Sequence, residues 1–209
     1  MAQPADGVAA LRARGVRLEL FTIGWMIVEA GGAVTAGVLA NSIALMGFGL
    51  DSVIELFAAL LVLGRLRAQL AGGRTNEQAE SRALRAIAVS FFVLAAYVLA
   101  EASLHLYGHQ KPNTSVLGIT ITAAALIVMP ILSRAKRRTG KRLQNRLLIA
   151  DAAETKLCAL LALTTLLGLL LFSIFGWWWA DPIASLAIVY FAIREGREAW
   201  EGELFCDDE

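Results

Sequence analysis

Residues 42–64 read SIALMGFGLDSVIELFAALLVLG, an apolar stretch with only two charges, Asp51 and Glu55. Wound as a helix at 1.5 Å per residue, it reaches roughly 35 Å, enough to cross a hydrocarbon core of about 30 Å. Asn41 and Ser42 are almost all that separates it from an earlier apolar run at 18–40. With Ser42 as an N-cap, the two runs form a tight antiparallel hairpin. Further runs follow at 86–107, 114–133, 147–175 and 181–199. The last is the weakest, since only Pro182 to Ile193 is free of charge. Pro182 suits a first helical turn, and Trp177, Trp178 and Trp179 ahead of it suit an interfacial anchor. The expected fold is all-α, a polytopic membrane protein with six transmembrane helices.

Composition agrees. Of 209 residues 57% are hydrophobic, about 119 side chains, and 18% are charged, against about 25% in soluble domains. At roughly 20 apolar residues per span, that is enough for about six spans with short connections. A soluble enzyme, a nucleic-acid-binding module and a disulfide-stapled secreted protein are excluded. Cys158, inside an apolar run, and Cys206 near the end make no disulfide framework. No glycine-rich phosphate loop and no His-rich segment occur. The first run is too long for the apolar part of a signal peptide, so it is a retained span.

The net charge of +1 decides nothing, but the placement of charge does. Arg12, Arg14 and Arg17 precede the first run, five arginines lie between Arg65 and Arg85, seven basic residues lie between Arg134 and Arg146, and Arg194 and Arg197 close the set. These seventeen fall on one side of a six-span chain; Lys111 falls on the other and Lys156 within the fifth run. The positive-inside rule then makes both termini cytoplasmic. The basic block 134–142 reads as a topology determinant, with contact to anionic lipid as the lesser reading. Residues 1–200 are expected to form one transport domain with a cytoplasmic N-terminal segment at 1–17. A short acidic tail at 201–209 follows, with no C-terminal cytoplasmic domain.

Carboxylates inside the apolar runs are the informative anomaly: Glu29, Asp51, Glu55, Glu101, Asp151 and Glu154. A central acidic residue costs about 2.5–3.5 kcal/mol on insertion scales, so several together call for partners, a water-filled cavity or protonation. A cation or proton pathway meets that need. Asp51 and Glu55, four apart, lie on one helix face. Glu154 and Cys158 repeat the spacing, with Asp151 one turn earlier on a nearby face. Two facing pairs supply four ligands, and a mixed oxygen and sulfur set suits a zinc-like ion better than magnesium or calcium. Cys158 reads either as a small apolar packing group or as a ligand in phase with Glu154. Asp151 is the alternative fourth ligand. Lys156, two residues from both Glu154 and Cys158, turns to the opposite face.

Two motifs resemble those of the cation diffusion facilitators, six-span exporters of zinc and related divalent metals. Residues 42–55 resemble that family's second span, where a Ser-x-Ala-Leu opening is followed by His or Asp and then by Asp four later; Asp51 and Glu55 stand at those positions. Residues 150–158, ADAAETKLC, resemble its fifth span, where Ala-Asp-x-x-His-x-x-x-Asp is common; Glu154 and Cys158 stand at the His and Asp positions. Weaker echoes are Pro112-x-x-Ser115-x-x-Gly118 and Ala180-Asp181-Pro182. The chain departs from the family in having no histidine at the site and a cysteine for a usual carboxylate. The resemblance implies a metal set of Asp51, Glu55, Glu154 and Cys158. Asp151, Glu29 and Glu101 are left for a proton path or an auxiliary ligand.

The function expected is export of a divalent metal across the cytoplasmic membrane by proton antiport, because protons and a dication compete for the same carboxylates. Zinc leads, with cadmium, cobalt, manganese and iron(II) also open. No permanently bound cofactor and no nucleic-acid partner are expected; the partners are membrane lipid, the metal, protons and a second copy of the chain in a homodimer. One rival is a transport-inactive structural or regulatory homologue. The other, a membrane enzyme with a cysteine nucleophile, lacks a base, since His105 and His109 lie near the outer loop.

Overall fold

The computed structural model describes residues 5–71, 77–108 and 113–201. Arg74, His109, Lys111, Pro112, Cys206 and most of the expected acidic tail lie outside the described residues. The rest is helical, in six elements: α1 (Ala5–Ala40), α2 (Ile43–Leu70), α3 (Glu77–Gly108), α4 (Val116–Leu143), α5 (Arg146–Phe175) and α6 (Ala180–Glu201). Among the described residues there is no strand.

Five of the six, α1 to α5, are both long and apolar enough to cross a membrane. At 22 residues α6 reaches roughly 33 Å, but the charges from Arg194 onward keep it below the others in apolar content. It is nevertheless built into the bundle, burying Ile188, Val189 and Ala192. The helices run well past the apolar runs at the arginine-rich end, α1 starting at Ala5 and α4 continuing to Leu143. Hydropathy marks only the part of a helix that hydrocarbon surrounds, while Ala, Leu, Arg and Gln carry it onward by propensity.

Helices α1, α2, α5 and α4 pack in a closed ring, and α3 and α6 form a pair leaning on α2 and α5. Short connections enforce the up-and-down order. The Ser42 side chain caps α2 by accepting from Leu45 N at 3.2 Å, after Asn41 turns the chain at φ 52°. Ser115 and Asn145 cap α4 and α5 in the same way, each accepting at 3.0 Å. Close approach of α1 and α2 relies on glycine: a Cβ on Gly49 would stand 2.8 Å from Val34 N. Gly32 allows a similar approach of α4, since a Cβ there would run into Ile121, and Ala36 and Ala40 on the same stripe of α1 are buried.

Asp181, at the start of α6, ties the far end together. Its carboxylate accepts from Ser42 Oγ and from Ile43 N at 2.9 Å, so one side chain caps α2 from a neighbouring helix. At the same end Asn113 N donates to Ala40 O at 2.6 Å, joining the α3–α4 connection to the α1–α2 turn. At the opposite end Arg12 reaches Gln69 O, where the arginines gather. The outer surface is apolar, with Val28, Phe57, Ile127 and Tyr190 all exposed, while Glu19, Glu29, Asp51, Glu55, Asp151 and Glu154 are buried. Such an inside-out distribution is what a lipid solvent requires.

Candidate metal site

The ring of α1, α2, α4 and α5 encloses two linked polar groups. Toward the arginine-rich end, the Lys136 ammonium of α4 is fully buried, 2.5 Å from Asp151 of α5 and 3.4 Å from Glu19 of α1. It also donates to Thr155 Oγ1 at 3.2 Å, and Thr155 donates to Glu55 Oε1 of α2 at 2.5 Å. Residues from all four helices of the ring thus meet in a single network, α5 supplying two.

Deeper in the bundle, Glu29 of α1 is held by three donors. Trp25 Nε1 reaches its Oε2, Ser52 Oγ donates to its Oε1 at 2.8 Å, and Cys158 Sγ lies 3.3 Å from the same oxygen. Asp51 sits beside Glu55, Glu29 and Cys158. Glu154 is buried within electrostatic reach of Asp151, Glu55 and Asp51. Neither of its carboxylate oxygens has a hydrogen-bond partner, and Glu55 Oε2 has none either.

The residues expected from sequence therefore face one another across α2 and α5. Asp51, Glu55, Glu154 and Cys158 are all buried there, while Lys156 is exposed, as its phase required. Among the described residues, however, no three His, Cys, Asp or Glu side chains draw close enough to hold a metal ion in this conformation. Cys158 is engaged by Glu29, and Glu55 by Thr155. Asp151 is engaged by Lys136. Glu29 joins the cluster directly, whereas Glu101, half-buried on α3 near Tyr97, stands apart from it.

Sequence reasoning missed Glu19, Lys136 and Thr155. Lys136 was counted among the surface charges of the basic block, yet it extends the buried face of α4 through Met129, Leu132, Ser133 and Thr139. That spacing of three and four residues was the available signal. Glu19 continues the buried face of α1 through Thr22, Met26 and Glu29 in the same way. A further carboxylate was missed on α6: Glu195, an electrostatic neighbour of both Asp51 and Lys156.

Apolar helices around an acidic interior define a multi-pass membrane protein. The family model for the cation efflux transmembrane domain matches residues 21–202. The chain belongs to that family. Among similar proteins, a cadmium, cobalt and zinc/H(+)-K(+) antiporter of Bacillus velezensis is 27% identical over 179 residues, covering 83% of this chain and 55% of its own length. The protein of the same name in Bacillus subtilis is also 27% identical over 179 residues, with 83% and 56% covered. The cation-efflux pump FieF of Escherichia fergusonii is 28% identical over 168 residues, with 76% and 56% covered. The chain spans about half the length of these curated relatives.

Proposed function

We propose that this protein exports a divalent transition-metal ion from the cytoplasm across the cell membrane in exchange for protons. In this reading Asp51, Glu55, Glu154 and Cys158 hold the ion between α2 and α5. The observation that carries it is the pair of buried, unpartnered Glu154 oxygens within electrostatic reach of Glu55, whose Oε2 is also unpartnered. Buried carboxylate oxygens left without donors are strongly disfavoured, and a cation or a proton relieves them. Exchange of the two between faces of the membrane is then transport.

Zinc, cadmium and cobalt are the first candidates, because the site offers oxygen with one thiol and because two relatives carry those metals in their names. Manganese and iron(II) follow as oxygen-preferring alternatives. Both termini face the cytoplasm and residues 1–200 act as one transport domain, with 1–17 and 201–209 at its cytoplasmic edge. The working unit is a homodimer. Glu29, linked to Cys158, is better placed than Glu101 to pass protons to the site.

The test is metal uptake into inside-out vesicles. Zinc, cadmium, cobalt, manganese and iron(II) are compared with and without an acidic lumen. Accumulation of at least one metal, enhanced by the acidic lumen, is expected. Vesicles that take up none, at confirmed protein levels, refute the reading in favour of a transport-inactive homologue. Uptake indifferent to the gradient refutes proton exchange alone.

A further inference from the structure

We propose that Lys136 is a built-in counter-cation that positions the metal site and sets its preference for softer ions. The inference rests on the metal reading above. An ammonium buried inside protein is costly unless it is paired, and that of Lys136 is fully buried between helices. Its partners say what it does. Asp151 at 2.5 Å and Glu19 at 3.4 Å are both committed to it, so Asp151 is withheld from the ion even though it lies one turn from Glu154.

The second consequence runs through Thr155. Its hydroxyl oxygen accepts from Lys136 and its hydrogen lies between Glu55 Oε1 at 2.5 Å and the Asp151 carbonyl at 3.0 Å, so Glu55 is held by one oxygen while Oε2 is left without a partner. A lysine on α4 thereby aims a carboxylate on α2 by way of α5. Held so, the ligands left for the ion are Glu55 Oε2, Glu154, Asp51 and, once it parts from Glu29, Cys158, whose one soft thiolate counts for much. Release of Asp151 would add a further oxygen and tilt the set toward harder ions. Lys136 touches no metal in this scheme and is a positioning residue.

The experiment uses the full chain purified in detergent, with cadmium and manganese binding measured by equilibrium dialysis and unfolding followed by heat. Lys136→Gln is expected to weaken cadmium binding by about tenfold, as loss of an orienting partner does, and to raise manganese relative to cadmium. Adding Asp151→Asn should return that ratio toward the wild-type value, because the released oxygen is no longer a carboxylate. The two changes should also be less than additive in their loss of thermal stability, since each removes the same ion pair.

A folded Lys136→Gln protein with the wild-type ratio overturns the proposal. So does a ratio that stays shifted after Asp151 is neutralised. Should Lys136→Gln fail to fold, recovery in the double variant supports the pairing and continued failure overturns it. A wild-type protein that binds neither metal refutes the metal reading of the site. Additive thermal losses refute the counter-cation whatever the metals do.

Discussion

Asp51 stands in the middle of an apolar helix where a packing role would be served better by almost any neutral residue. Asp51→Asn keeps its shape and removes its charge, and wild-type and variant can be compared in vesicles at equal membrane levels. Loss of metal uptake is expected with insertion intact. If Asp51 only packed, deleting a carboxylate that costs about 2.5–3.5 kcal/mol to place there would be neutral or stabilising, and uptake would persist. Glu101→Gln, made half-buried and outside the cluster, should be far milder. Cys158 allows a second comparison. Replacing it by aspartate exchanges a soft donor for a hard one beside Glu29, so cadmium uptake should fall more than that of manganese or cobalt. An unchanged metal profile would leave Cys158 as core packing.

Between α2 and α6 the decisive feature is one carboxylate serving as a shared cap. Asp181 satisfies Ile43 N and receives the Ser42 hydroxyl, which itself caps Leu45 N. Asp181→Ala should destabilise the protein by about 1–2 kcal/mol, the usual range for a lost cap, read as a lower midpoint of thermal unfolding in detergent. Asp181→Asn keeps an accepting oxygen and should recover part of the loss. Equal midpoints for all three proteins would show that the α1–α2 turn holds itself. The Ala180-Asp181-Pro182 motif thus belongs to the joint between helices rather than to the ion.

For the molecule as a whole, contacts place the α1–α2 turn, the α3–α4 connection and the start of α6 at one end, and the arginines at the other. The positive-inside rule assigns the arginine-rich end to the cytoplasm. In a background with Cys206→Ser, cysteines introduced at Thr114 and Lys141, both exposed, should behave oppositely toward an impermeant thiol reagent on intact cells. Thr114→Cys should label, and Lys141→Cys only after permeabilisation. The reverse pattern would invert the protein and turn the proposed exporter into an importer.

What the sequence by itself determined about this protein is what depends on composition and on spacing along one helix. Apolar runs of membrane length gave six helices, the Ser42 N-cap followed from residue type at a run's start, and four-residue spacing put Asp51 with Glu55 and Glu154 with Cys158. These are local properties, set by 3.6 residues per turn and by the transfer energy of each side chain. Only the tertiary structure decided which charges are internal. Lys136 lies among Arg134, Arg137 and Arg138 in the chain; its phase with Met129, Leu132 and Ser133 points to the buried face, but only the packing of α4 against α1 and α5 sets it on Glu19 and Asp151. Asp181 reads as a helix opening until the fold sets it against the start of α2, more than a hundred residues away. Charge pairs of this kind join residues that sequence spacing cannot relate, because each is created by the crossing of two helices rather than by the pitch of one.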